Sequence, residues 1–150
     1  MRGCKRTLYT AFEHYAVQLH RRMGGAAWHW SECSFELLME AGYVHRSNQV
    51  RLLREFHKCD FGFDAMAYHH GVYHGVQTKF YTARQLKSAD IATSLLMLNV
   101  LQRHDPRSKL YLHVLTETRI QTDLRESIER SLTIELVKTP RHEVEHYNDQ

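Results

Sequence analysis

The segment FGFDAMAYHHGVYHGVQTKFY, Phe61 to Tyr81, constrains this chain more than any other. Phe63 to His69 and Val72 to Tyr81 are rich in aromatic and β-branched residues, and Gly71 between them offers a turn. That pattern predicts the two strands of a hairpin. Gln77 and Lys79 are two residues apart, so on a strand they share a face. Asp64, on the preceding strand, comes near them if the hairpin register places it there. A carboxylate, an amide and an ammonium group at one end of a sheet are an unusual set for a hairpin.

The flanking segments predict the scaffold. TLYTAFEHYAVQLHRRMGG reads as an amphipathic helix through Leu8, Phe12, Tyr15, Ala16 and Leu19, stopped at Gly24 and Gly25. SECSFELLMEAGY predicts a shorter helix with a Ser start and a Gly42 stop, and SNQVRLLREFHK a third. After the hairpin, SADIATSLLMLNVLQRH predicts a helix with Ser88 as its cap and Pro106 beyond its end. KLYLHVL reads as a buried strand, TDLRESIERSL as a charged amphipathic helix and TIELV as a last short strand. No repeat, low-complexity tract or linker divides the chain, so the expectation is one domain over 1–150. Its class is mixed α/β (α+β), with a central mixed sheet flanked by helices.

Composition narrows the setting. Hydrophobic residues at 43% and charged residues at 25% describe a globular chain, and 150 residues suffice for one core. No apolar run approaches the roughly 18 residues of a membrane span, and MRGCKRTLYT lacks a signal-peptide core. No membrane partner is therefore expected. Cys4, Cys33 and Cys59 are an odd, scattered set, which suits free thiols in an intracellular compartment, cytoplasm or nucleus. A net charge of +3 permits a nucleic-acid partner without demanding one.

Hard oxygen donors from Asp64 and Gln77 suit Mg²⁺, which keeps several waters. Lys79 could orient a nucleophile or stabilise developing negative charge, a set that suits metal-assisted hydrolysis of a phosphodiester. A second carboxylate usually helps; Glu13 on the first helix is the candidate and Glu36 on the second the rival. Arg84 and Lys87 after the strand, and Arg51 and Arg54 before it, could hold phosphates. Blander readings exist for each residue alone: Asp64 as a turn acceptor, Lys79 as a solvated strand lysine, the basic cluster as a solvated face. Gln77 resists that treatment, because a polar residue beside an apolar run needs a partner.

DFGFD (Asp60 to Asp64) followed by VQTKFY (Val76 to Tyr81) resembles the D-x-G-x-D … Q-x-K signature of Mrr-type restriction endonucleases. These are a branch of the PD-(D/E)XK nuclease superfamily in which glutamine replaces the usual acid. AFEHY (Ala11 to Tyr15) resembles the Phe-Glu of that branch's first helix, and WHW (Trp28 to Trp30) its tryptophan pair. The likeness is strongest to N-terminal nuclease domains of helicase-nuclease and single-chain restriction-modification proteins, and it covers about residues 7–137. It implies a restriction-endonuclease-like core and Mg²⁺- or Mn²⁺-dependent hydrolysis of DNA phosphodiester bonds. Asp64 and Gln77 would be metal ligands, Lys79 the catalytic lysine, and Glu13 the helix acid supporting the metal or its water. Thr78 stands where cysteine is common, and its side chain is expected to face away from the site. The resemblance further implies attached or partner helicase and recognition domains, so that the chain would be the N-terminal part of a larger protein. Because each site cuts one strand, a homodimer is a possible form. The alternative is a nuclease-fold module that binds DNA or protein without cleaving.

Three other features compete for attention. HEVEH (His142 to His146) matches the zinc-protease helix signature H-E-x-x-H. It follows Pro140 at an end expected to fray, so adventitious Zn²⁺ or Ni²⁺ binding is the stronger reading. YHHGVYH (Tyr68 to His74) reads as a polar, phosphate-contacting hairpin tip rather than a metal site. Trp28 and Trp30 read as core.

Overall fold

The computed structural model describes residues 7–43 and 62–150. The third expected helix, with Arg51 and Arg54, lies outside the described residues, as does Asp60. Helix α1 spans Leu8–Arg22 and is capped by Thr7, whose side chain accepts from the Thr10 N–H. Arg21 and Arg22 close its last turn, where the helix dipole favours positive charge. Its buried stripe, Ala11, Phe12, Tyr15, Ala16, Val17 and His20, follows helical spacing.

Strand β1 (Ala26–His29) follows directly, a strand that local pattern did not predict. Helix α2 (Phe35–Glu40) starts later than the Ser31 start expected, because Ser34 supplies the cap to the Leu37 N–H and residues 30–32 form a 3₁₀ turn. The predicted hairpin is β2 (Ala65–His69) and β3 (Val72–Lys79). His70 and Gly71 both take positive φ, 52° and 82°, in its two-residue turn. That geometry matches strand twist and is tolerated best by glycine. Helix α3 (Ala92–His104), β4 (Leu110–Leu115), α4 (Thr122–Arg130), β5 (Ile134–Thr139) and α5 (Arg141–Asn148) complete the chain.

The expected mixed sheet flanked by helices is what forms: five strands in the order β1-β2-β3-β4-β5. The first three are antiparallel neighbours, and β3, β4 and β5 run parallel. Parallel neighbours need crossovers, which α3 and α4 supply on one face, as two crossovers of the same hand progressing in one direction must. Alternation then sorts the residues. Ala27, Ala65, Ala67 and Val76 pack on Ala16 and Val17 of α1. On the other face Phe63, Met66 and Leu110 meet Phe35 and Leu38 of α2 and Leu98 and Leu101 of α3, while Leu112 and Val114 meet Leu124 and Ile128 of α4. Helix α5 closes the α1 side through Val144, packed with Phe12, Phe80 and Leu115. Its burial corrects the expectation of a frayed end: an amphipathic helix with Val144 fully covered is held by α1.

The α1 face also buries a chain of imidazoles. His20 Nδ1 lies 2.8 Å from His69 Nε2, and His20 Nε2 lies 2.9 Å from His113 Nε2. His20 and His113 are fully buried, and His113 Nδ1 has no hydrogen-bond partner among the described residues. His74 stands beside His69 and takes the Lys109 N–H on its Nδ1. This corrects the expected polar tip: His69 and His74 turn inward, because two-residue alternation places both on the α1 face. Burial, reinforced by the neighbouring imidazoles, depresses His20 and His74 to about 4 and His113 to about 3. Among the described residues no helix is long and apolar enough to cross a membrane.

Candidate functional site

Asp64 precedes β2 and is fixed from both sides: the Trp30 N–H donates to its carbonyl at 2.9 Å, and its own N–H donates to Val76 O at 2.8 Å. It is only 4% exposed. A buried carboxylate needs strong donors, and Thr78 supplies two: its N–H at 2.8 Å and its hydroxyl at 2.9 Å, both to Oδ2. The expectation that Thr78 faces away from the site is therefore corrected. Thr78 does alternate away from Gln77 and Lys79, but the Asp64 carboxylate reaches the edge of β3 where both the Thr78 N–H and hydroxyl meet it.

Gln77 is 8% exposed and points to α3, where its Oε1 is 3.0 Å from Ser94 Oγ. Ser94 Oγ is also 2.9 Å from Gly62 O, and the Gln77 amide nitrogen is 3.4 Å from Thr78 O. A hydroxyl has one proton, so Ser94 cannot donate fully to both oxygens. Ser94 therefore shares its proton between Gln77 Oε1 and Gly62 O, while the Gln77 amide nitrogen is directed at Thr78 O. Ser94 is a site residue that sequence reasoning missed; it sits inside a helical pattern with no local signal.

Lys79 shares the face of Gln77 and is half-buried. It acts electrostatically on Asp90, whose carboxyl is held below its usual range first by hydrogen bonding from Arg84 and further by the Lys79 charge. The Arg84 guanidinium forks onto both Asp90 oxygens at 3.0 Å and lies 4.0 Å over the Tyr81 ring. Lys87 is exposed beside it. Asp64, Gln77 and Lys79 thus lie at one end of the hairpin, and Arg84 and Lys87 follow in the segment after β3.

Glu13 belongs to α1, on the opposite face of the sheet from Gln77 and Lys79. Its Oε1 is 2.8 Å from His29 Nε2, and the other His29 nitrogen is 2.7 Å from Ser31 Oγ and accepts the Ser31 N–H at 3.3 Å. Because a backbone N–H can only donate, Nδ1 is the bare nitrogen and the Nε2 proton points at Glu13. His29 pairs with Ala65, the residue next to Asp64, so this couple sits one position from the carboxylate. Glu36 is exposed on α2. Trp28 and Trp30 pack against the core around Phe35 and Phe63, as expected. The Cys33 thiol is pushed up to about 12 by burial and the Glu32 charge, so it is no thiolate. His142 and His146 line a cavity of about 580 Å³ with Tyr15, Arg22 and Tyr147, between α1 and α5.

Among the described residues no three His, Cys, Asp or Glu side chains gather as a metal cage. A cation near Asp64 would have to rely on one carboxylate, amide or carbonyl oxygen and water. That donor set fits a hard ion that keeps its waters and does not fit zinc.

The fold and site define a mixed α/β domain with a buried aspartate, a buried glutamine and a half-buried lysine at the end of a hairpin. No protein-family model matches this chain, and no curated protein sequence does. Among solved structures, the pre-specific restriction endonuclease BsaWI in complex with DNA superposes with a TM-score of 0.49 at 10% identity. The match covers 94% of this chain and 60% of that one, and at this level it carries no argument about activity.

Proposed function

We propose that this domain is a metal-dependent endonuclease of the restriction-endonuclease-like fold that hydrolyses DNA phosphodiester bonds. The observation that carries the reading is that two buried polar side chains, Asp64 and Gln77, stand at the same sheet end as Lys79. Burying such groups is costly unless they are used or fully paired. Asp64 and the Gln77 side-chain oxygen would hold Mg²⁺ or Mn²⁺. The bound ion would lower the pKa of a water and polarise the phosphate. Thr78 holds the Asp64 carboxylate in one orientation, and Ser94 does the same for Gln77. Lys79 presents its charge where a phosphate would gain negative charge during attack. Glu13, oriented by the His29 Nε2–H, would act on the water shell from the other side of Asp64. Arg84 and Lys87 would contact backbone phosphates. A symmetric dimer would cut both strands, and attached or partner helicase and recognition domains would supply target choice.

A second reading is a non-cleaving module of the same fold. It is favoured by one observation: Gln77 Oε1 and Glu13 Oε1 both already have hydrogen-bond partners inside the protein. The two are separated by calorimetric titration of Mg²⁺ and Mn²⁺ into wild type and Asp64→Ala, with plasmid nicking measured in parallel. Binding and nicking that both vanish in the variant support the nuclease. Binding that survives moves the ion away from Asp64, and folded wild type that neither binds nor nicks leaves the non-cleaving module. Lys79→Ala should abolish nicking while DNA affinity stays within a few-fold.

A further inference from the structure

We infer that Lys79, Lys87 and Arg119, with Arg84 behind them, form a docking ledge for the phosphodiester backbone of a nucleic acid, built from two loops pinned together. This rests on the reading of the hairpin as a phosphodiester site. The pin is an isolated parallel bridge between Leu86 and Ile120. The Leu86 N–H donates to Arg119 O at 2.8 Å, and the Gln121 N–H donates to Leu86 O at 2.9 Å. Leu86 is fully buried among Ile91, Leu112, Val114, Leu124 and Ile128, so the pin is part of the core. The buried Thr118 hydroxyl adds a second tie, donating to Tyr81 O at 3.1 Å. Residues 81–87 and 116–121 are thereby locked side by side at the carboxyl ends of β3 and β4, where parallel sheets commonly bind ligands. Arg119 is held against the segment carrying Lys87, a proximity that sequence spacing does not show.

The charges on the ledge are uneven. Lys87 and Arg119 are exposed, and neither is in an ion pair with a described residue. Of the nearby carboxylates, Asp90 is committed to Arg84, and Glu117 lies 3.5 Å from Arg141. Asp123 is the acidic group in the first turn of α4, the helix that starts beside the ledge. Helix α4 begins here with no side-chain cap, and its first N–H groups add positive potential. Single cations spread along an edge suit a repeating monoanion better than a compact dianion. Arg84 over the Tyr81 ring gives a guanidinium-aromatic platform of the kind on which bases stack. The row leads to Lys79, so a backbone lying on it would pass the hairpin site.

The test is fluorescence anisotropy with a short labelled DNA duplex in EDTA, which prevents cleavage, across a series of salt concentrations. Wild type is compared with Lys87→Gln, Arg119→Gln, the double variant, and Arg130→Gln at the far end of α4. Lys87→Gln and Arg119→Gln should each weaken binding roughly 3- to 10-fold and lower the slope of log affinity against log salt by about 1. Arg130→Gln should leave both unchanged, and all melting temperatures should match, because these side chains are exposed. A double variant with wild-type affinity and slope overturns the ledge. Polyglutamate competing as well as unlabelled DNA also overturns it, in favour of an acidic polypeptide. Wild type whose binding depends on Lys87 and Arg119 but which never nicks with any divalent ion keeps the ledge and removes the cleavage reading. Nicking indifferent to both substitutions does the reverse.

Discussion

Lowering the pH from 7 to 5 makes the unfolded chain take up protons that the folded one refuses. His20, His74 and His113 are buried on the α1 face, and burial moves them from an ordinary 6.5 to about 4, about 4 and about 3. In each case the folded value lies below the unfolded one. The stability they allow is therefore full above 6.5 and is lost as pH falls toward 4. Over the roughly 1.5 units between 6.5 and 5, each histidine costs about 2 kcal/mol at about 1.4 kcal/mol per unit. At pH 5 the folded state has bound few of these protons, since burial and the neighbouring imidazoles both hold the values down. The three losses then add to about 6 kcal/mol, comparable with the whole stability of an ordinary domain. His69, also depressed, acts in the same direction. Asp90 and Asp105 have lowered carboxyl values and lose their stabilising effect only in stronger acid, so the window above pH 5 belongs to the histidines. Urea unfolding followed by tryptophan fluorescence at pH 7, 6 and 5 measures the effect. A free energy of unfolding at pH 5 within about 1 kcal/mol of that at pH 7 would refute the reasoning, since buried neutral imidazoles cannot be indifferent to this range.

Three substitutions probe the site and the sheet around it. Thr78→Val removes one donor from Asp64 while keeping shape; it should cost about 1.5–3 kcal/mol in chemical denaturation and weaken Mg²⁺ binding, with Thr78→Ser retaining most of both. Ser94→Ala leaves the Gln77 amide and Gly62 O without their shared partner and should destabilise by about 1–3 kcal/mol. Gly75→Ala would set a methyl group 2.3 Å from the Phe63 ring, so a loss of about 1–3 kcal/mol is expected, visible as a lowered melting temperature. An alanine variant as stable as wild type would show that Phe63 can move away.

The hairpin and the order of the surrounding elements were legible in the sequence because their signals are local. Alternation through Val72 to Lys79, a glycine turn, helical spacing in α1 and the β4–α4–β5 run each lie within a short window. They also fixed which polar residues share a strand face, so Gln77 and Lys79 could be paired without a structure. Tertiary contact decided the rest. AAWH is four residues after two glycines, too short for a pattern, and is a strand because Ala26 to His29 pair with Tyr68 to Ala65. Helix α5 is held by Val144 against Phe12 and Phe80, partners distant in the chain. Thr78 on Asp64, Ser94 on Gln77, His29 on Glu13 and Arg119 beside Leu86 are likewise contacts between segments that no window spans. Each satisfies a group that its own neighbours leave open, and which group does so is settled only when the sheet and helices come together.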